Sequence, residues 1–339
     1  MRMRVCLLSC LFVLAGCFGG WCEPASTPDS SLKSAGLACY DGKPGTKAGE
    51  TVINPKDGAE MVWVPAGEFI MGSSDEQVAA VVNVDPTWAR IRQLSWEQPQ
   101  RKVYLDGYWV YKYQVKVEQY RKFCEANGRK MPVPAANVGL KNGLPINSVT
   151  HDDAMVYADW AGVSLPTEAQ WEKAARGTDG RLYPWGNEWD PSRVPESGGR
   201  GLSFSGSVMA GYPIPSVGSY PEGASPYGCM DMVGTVSEWC ADRFEEDYYK
   251  SAPLRNPTGS PNGIYWVVRG GGWENQDARD YRCASRVLLS DTARCKDRLD
   301  ACAQRHPLPG GKKVLASQML GFRLVANMSD QLEANAEVK

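Results

Sequence analysis

Beyond Gly177 the chain is dense in turn-forming residues, and this limits its architecture more than any other feature. Only short strand-like stretches interrupt the turns there: Met232–Cys240, Tyr265–Gly270, Tyr281–Arg286 and Gly321–Val325. Helical periodicity is confined to earlier segments: Glu76–Val84, Lys116–Asn127, Asp152–Ala161 and Thr167–Arg176. The last opens with a capping-box pattern, Thr167-Glu168-Ala169-Gln170. Met61–Phe69 reads as strand, turn, strand, and Val103–Val110 as one strand. With 35 glycines and 23 prolines the chain is loop-rich, yet it stays short of low-complexity composition. Its 339 residues would allow two domains. Without a repeat or an internal linker, one α+β domain with much irregular structure fits better.

The N-terminus reads separately. Arg2 and Arg4 precede an apolar run, Val5–Ala15, too short to span a bilayer. Its end, Leu14-Ala15-Gly16-Cys17, resembles a bacterial lipoprotein signal, cut before a cysteine that becomes acylated. The alternative is an ordinary signal peptide with an incidental cysteine. The resemblance implies a signal over 1–16, lipid on Cys17 and a flexible tether over 17–57. A domain over 58–326 and a tail over 327–339 would follow. The protein would then sit in the cell envelope, held by its lipid on the inner or the outer membrane. Cys22, Cys39, Cys124, Cys229, Cys240, Cys283, Cys295 and Cys302 remain after Cys17, an even eight that export would make available for disulfides. Pairing is open, and Cys295 with Cys302 is the closest pair in sequence.

Charge and histidine content exclude some classes. A net charge of −2 gives no electrostatic basis for binding nucleic acid. Two histidines, His151 and His306, cannot build a three-histidine metal centre. His151 precedes an acidic helix start and reads as a capping or surface residue. Asp152-Asp153 and Glu245-Glu246-Asp247 are sequence neighbours rather than opposed acid and base, so they read as solvated faces.

An ordered series of motifs carries further information. Met61-Val62-Trp63-Val64-Pro65-Ala66-Gly67-Glu68-Phe69 precedes Glu97-Gln98-Pro99, Leu165–Gly177 and Tyr183-Pro184-Trp185-Gly186-Asn187. Asp231–Trp239, Arg269-Gly270-Gly271-Gly272-Trp273, Arg282–Arg286 and Gly321-Phe322-Arg323-Leu324 follow. The series resembles the sulfatase-modifying-factor family, named for the formylglycine-generating enzyme. The resemblance covers roughly 58–326 and implies a C-type-lectin-like fold enlarged by helices and loops. It also makes most of the twelve tryptophans core residues. Relatives in that family include copper-dependent oxidases of sulfatase cysteines, iron-dependent sulfoxide synthases and variable ligand-binding proteins.

The family's oxidases carry two copper-binding cysteines shortly after Arg-Gly-Gly-Ser, and soft thiolates suit copper(I). Here Gly272 replaces the serine, Asn275 falls at the first cysteine and Ala278 near the second. The sequence therefore speaks against copper as a cofactor, and no catalytic residue is assigned. The iron-dependent branch needs a histidine-supplying domain absent from the sequence preceding residue 58. For calcium, the family loop carries over as Asp231 and Glu238 through carboxylates, with Gly234 and Val236 through carbonyls. Hard oxygen ligands of this kind suit the ion. Val194-Pro195 replaces a pair that forms a second calcium site in the family, which speaks against that site.

The expected function is a non-catalytic one: an exported, lipid-anchored protein that binds a protein or carbohydrate ligand. Its candidate surface is Trp273, Glu274, Asn275, Gln276, Asp277, Arg279 and Asp280, with the insertion from Val287 to Leu320 alongside. The alternatives are an enzyme working through a non-standard site on envelope proteins or cell-wall material, and an assembly lipoprotein that docks envelope partners.

Overall fold

A computed structural model describes residues 37–86, 94–133, 139–196, 214–272, 277–289 and 320–328. Strands β1 (Ala38–Cys39), β2 (Thr51–Ile53), β3 (Glu60–Val64), β6 (Tyr108–Tyr111) and β11 (Val325–Asn327) form one sheet in the order β1-β2-β3-β6-β11. A second sheet has the order β10-β7-β8-β9, from β7 (Ser237–Phe244), β8 (Tyr265–Arg269), β9 (Val287–Leu289) and β10 (Leu320–Gly321). A separate two-stranded antiparallel sheet pairs β4 (Gly67–Met71) with β5 (Arg101–Leu105).

The expected strand–turn–strand at Met61–Phe69 forms as β3 and β4, although the two strands join different sheets. Val103–Val110, expected as one strand, is two. Asp106-Gly107 breaks it, leaving β5 in the two-stranded sheet and β6 in the five-stranded sheet. Gly107 packs on the indole of Trp63, where a Cβ would lie 2.5 Å from the ring. Only the bare backbone of glycine fits there. The Met232–Cys240 stretch becomes strand only from Ser237, because Asp231 and Gly234 hold positive φ of 55° and 88°. Tyr281–Arg286 is no strand. A 3₁₀ turn, Ala278–Tyr281, leads into it, and the Cys283 amide donates to the Leu182 carbonyl instead of a ladder.

The helices are α1 (Asp75–Val84), α2 (Val117–Ala126), α3 (His151–Ala161), α4 (Glu168–Arg176) and the single turn α5 (Tyr248–Ser251). Three N-termini carry reciprocal capping boxes: Ser74 with Gln77, Thr150 with Asp153, and Thr167 with Gln170. His151 does not cap. It lies buried in the first turn of α3, stacked 3.6 Å from Trp266, with Nε2 at 3.1 Å from the Cys240 carbonyl. Helices α2 and α3 meet through Tyr120 and Tyr157, stacked at 5.6 Å beside buried Phe123 and Phe322. Each such phenylalanine contributes about 1.5–3 kcal/mol by leaving water.

The folded unit begins earlier than the expected boundary at residue 58. Strand β2 pairs antiparallel with β3 and buries Val52 and Ile53, so the second half of the supposed tether is structure. Buried Asp57 fixes this segment by accepting hydrogen bonds from Tyr111 (2.9 Å) and Tyr157 (2.7 Å). Burial pushes its carboxyl above the usual range. At the other end β11 runs to Asn327. The signal, Cys17 and Cys22 lie outside the described residues. No described helix is long and apolar enough to cross a membrane.

Candidate functional site

The site rests on helix α4, most of whose surface is buried. Trp171, Ala174 and Ala175 pack in the core, yet Glu168, Glu172, Lys173 and Arg176 are buried with them. Buried charges persist only when paired and hydrogen-bonded. The motif residues supply those partners from distant parts of the chain. Glu168 receives Arg286 through both oxygens, at 2.6 and 2.8 Å. Glu172 receives Arg176 at 2.7 Å, the Gly72 amide at 2.7 Å and also Arg269. Glu97 takes a two-pronged contact from Arg282 at 2.7 and 2.8 Å, plus the Ser73 hydroxyl. Burial alone would raise the Glu97 carboxyl, but the Arg282 guanidinium outweighs it and holds it below the usual range. Lys173 is the exception, with no carboxylate partner among the described residues. It donates to the Pro65 and Gly67 carbonyls at 2.8 and 2.9 Å, and burial lowers its pKa to about 8.

The loop from Asp231 to Glu238 lies against this frame. The Gly234 amide donates to the Gly270 and Gly271 carbonyls at 3.2 Å, tying the loop to the glycine turn after β8. Gly270 has φ of 93°, and a Cβ there would meet the Met232 carbonyl oxygen at 2.9 Å.

The expected calcium ligands are only partly assembled. The Asp231 carboxylate turns away and accepts the Gly218 amide at 2.6 Å, while burial raises its pKa to about 6. Glu238 is fully buried and receives four donors. Arg323 Nε and Trp171 Nε1 reach Oε2 at 2.7 and 2.8 Å, and Arg323 Nη2 and Gln114 Nε2 reach Oε1 at 2.8 and 2.9 Å. A carboxylate offers about four lone-pair positions, so none is left for a metal. The set Asp231, Gly234, Val236 and Glu238 therefore does not fit calcium as the loop stands. The backbone carbonyls of Asp231 and Val236 do point inward, towards Gln114. Sequence reasoning missed Gln114 because it lies 117 residues before Asp231. Val194, where the family's second calcium site would fall, is buried in the core.

The rim of the site is aromatic and charged. Tyr183 stacks on Trp185 (5.4 Å, 8°), and Trp189 stacks on Tyr281 (5.5 Å, 11°). The two pairs join through Tyr183–Trp189 and Trp185–Trp189 contacts at 5.3 and 5.9 Å. Trp185 and Trp189 are half-buried, whereas Tyr183 and Tyr281 are buried. The Tyr281 hydroxyl reaches the Gly272 carbonyl at 3.4 Å, placing this ladder beside the glycine turn. Asp277 caps the 3₁₀ turn through the Arg279 amide and also holds the Arg279 guanidinium, which contacts Asp85 at the end of α1. Asp277 and Arg279 thus sit together on the rim, while Asp280 is buried. Trp273, Glu274, Asn275 and Gln276 lie outside the described residues, as does most of the 287–320 insertion. Sequence reasoning assigned the tryptophans mainly to the core. Trp63, Trp96, Trp109, Trp171 and Trp239 are there, but Trp185 and Trp189 keep part of their surface.

Ala278, near the position of the family's second cysteine, opens the 3₁₀ turn and supplies no ligand. Cys283 is fully buried, and burial pushes its thiol up to about 12. Cys39, Cys124, Cys229, Cys240 and Cys283 carry free thiols, whereas Cys295 and Cys302 lie outside the described residues. Cys124, Cys229 and Cys240 are also buried, and their thiols are raised for the same reason.

The model of the sulfatase-modifying factor enzyme 1-like domain matches residues 47–298. The serine/threonine-protein kinase Pkn1 of Chlamydia trachomatis is 32% identical over 248 residues, covering 67% of this chain and 35% of the kinase. The chain thus spans about a third of the length of that relative. The formylglycine-generating enzyme of Bos taurus is 25% identical over 341 residues, covering 84% of this chain and 85% of the enzyme. Among solved structures, PvdO from Pseudomonas aeruginosa aligns with a TM-score of 0.59 at 22% identity, over 83% of this chain and 99% of that one. Treponema denticola variable protein 1 aligns at 0.52 and 20%, over 79% and 95%. Both likenesses concern the fold, which is α+β and of the formylglycine-generating-enzyme type.

Proposed function

Because the chain belongs to the sulfatase-modifying factor enzyme 1-like family, we propose that it uses this scaffold to bind a ligand at the rim, without copper-dependent oxidation. The carrying observation is the contrast at the family's reactive position. The cysteine positions hold Asn275 and Ala278, and the nearby Cys283 is sealed in the core. Trp185 and Trp189 are half-buried, and Trp189 stacks on Tyr281 at the end of the 3₁₀ turn that carries Arg279, the partner of Asp277. Aromatic faces flanked by a charged hydrogen-bonding edge suit a saccharide or protein surface that has an apolar side and a polar rim. The protein performs this binding as an exported lipoprotein anchored through Cys17.

Three measurements test the reading. The purified soluble domain is expected to bind a component on glycan or envelope-protein arrays, and Trp189→Ala or Arg279→Ala should abolish that signal. Loaded with copper and given a sulfatase-type cysteine peptide, it should form no formylglycine; appearance of the aldehyde overturns the non-catalytic reading. For the anchor, Cys17→Ala should stop incorporation of labelled fatty acid and release the protein from membranes.

A further inference from the structure

The loop expected to hold calcium already has an occupant. Gln114 follows β6 and is buried, and its side-chain nitrogen lies where three oxygens converge. Nε2 is 3.0 Å from the Asp231 carbonyl, 3.4 Å from the Val236 carbonyl and 2.9 Å from Glu238 Oε1. Turning the amide over would aim its oxygen at three other oxygens, so the NH₂ end is fixed inward by electrostatics. The inward orientation has a cost, because Gln114 Oε1 is buried without a hydrogen-bond partner among the described residues. Arg323 supplies full charge at the same place. Its Nη2 reaches Glu238 Oε1 at 2.8 Å, the Met230 carbonyl at 3.0 Å and the Asp231 carbonyl at 3.3 Å.

We propose that Gln114 is an internal surrogate for a divalent cation. Its two N–H groups gather the oxygens of the 231–238 loop as a metal would, and Arg323 neutralises Glu238. The loop, and through the Gly234 amide the glycine turn behind the rim, is then set by covalent parts of the chain and not by calcium. A calcium ion cannot take this position without expelling the amide and facing the neighbouring guanidinium. A carboxylate at position 114 would reverse the situation. It would place a further anion among three oxygens and create a demand for a hard cation.

The experiment compares the full chain with Gln114→Glu by calcium titration calorimetry and by thermal unfolding in millimolar calcium or in chelator. The wild type is expected to give no binding heat and the same melting temperature in both conditions. Gln114→Glu should melt lower in chelator and gain about 5 °C or more when calcium is added. Magnesium should restore less, since it demands a stricter octahedral shell. Should the variant be soluble only when refolded with calcium, that outcome supports the proposal equally. One calcium bound per wild-type chain, or a wild-type melting temperature that rises with calcium, overturns it. So does a folded Gln114→Glu protein indifferent to the ion. The wild-type measurement decides the matter if the variant cannot be recovered at all.

Discussion

The buried frame around α4 and the rim at 277–281 use the same chemistry in opposite settings. Glu172 with Arg176 and Arg269 is an ion-pair cluster with no solvent contact. Asp277 with Arg279 and Asp85 is a similar cluster at the surface, with side chains 29%, 19% and 41% exposed. In the first, removing one member strands charges in a dry interior. In the second, water and salt replace a lost partner. Charge in the frame fixes shape, whereas charge on the rim stays in contact with water. A mutation should therefore separate folding from binding according to which set it touches.

The largest effect is expected for Glu172→Ala. It leaves Arg176 and Arg269 without their shared carboxylate, and a loss of about 3–5 kcal/mol should show as a much lower denaturation midpoint or as insoluble protein. Near-normal stability in this variant would erase the distinction between frame and rim. Trp189→Ala comes next. The ring is half-buried against Tyr281, so about 1–3 kcal/mol of stability should go with it. Ligand binding should fall further than that loss explains.

Asp242 sharpens the comparison within the frame itself. Burial and the nearby Glu168 carboxylate push its pKa up to about 8, against an ordinary 3.8. The folded form thus holds its proton through neutral pH while the unfolded chain has released it. This group favours folding at low pH, and its contribution fades as pH rises from about 4 towards 8. Asp242→Asn should remove that slope: melting temperatures of wild type and variant should diverge progressively between about pH 5 and 8, with the wild type falling behind. Parallel curves would show that Asp242 is ionised in the fold. The smallest stability effect is expected for Arg279→Ala, within about 1 kcal/mol, because its partners remain hydrated. A large drop there would move Arg279 from the rim into the frame.

Much of the fold is legible in the sequence where the controlling interactions are local. Capping boxes span three residues, so Thr167 and Gln170 mark the start of α4 directly. The break at Asp106-Gly107 was hidden because the alternation on either side continues through it, and the reason for the break is Trp63, more than forty residues away. The same limit applies to charge. Glu97 finds Arg282 across 185 residues and Glu168 finds Arg286 across 118. No window of sequence shows that these acidic residues are buried. Of the site, Asp277 and Arg279 were readable as neighbours of the family's reactive turn. The contribution of Trp185 and Trp189 needed the ring geometry, and Gln114 needed the whole tertiary fold.

One consequence concerns the order in which the molecule is made. Arg323 and the strand that follows it are synthesised long after β3 and β6, yet they complete the interior of the sheet that those strands begin. Strand β11 pairs with β6, and Arg323 meets Glu238, emitted 85 residues before it. A growing chain that has just delivered Leu289 still holds an unneutralised carboxylate and an open edge on β6. Final locking must wait for the last described segment.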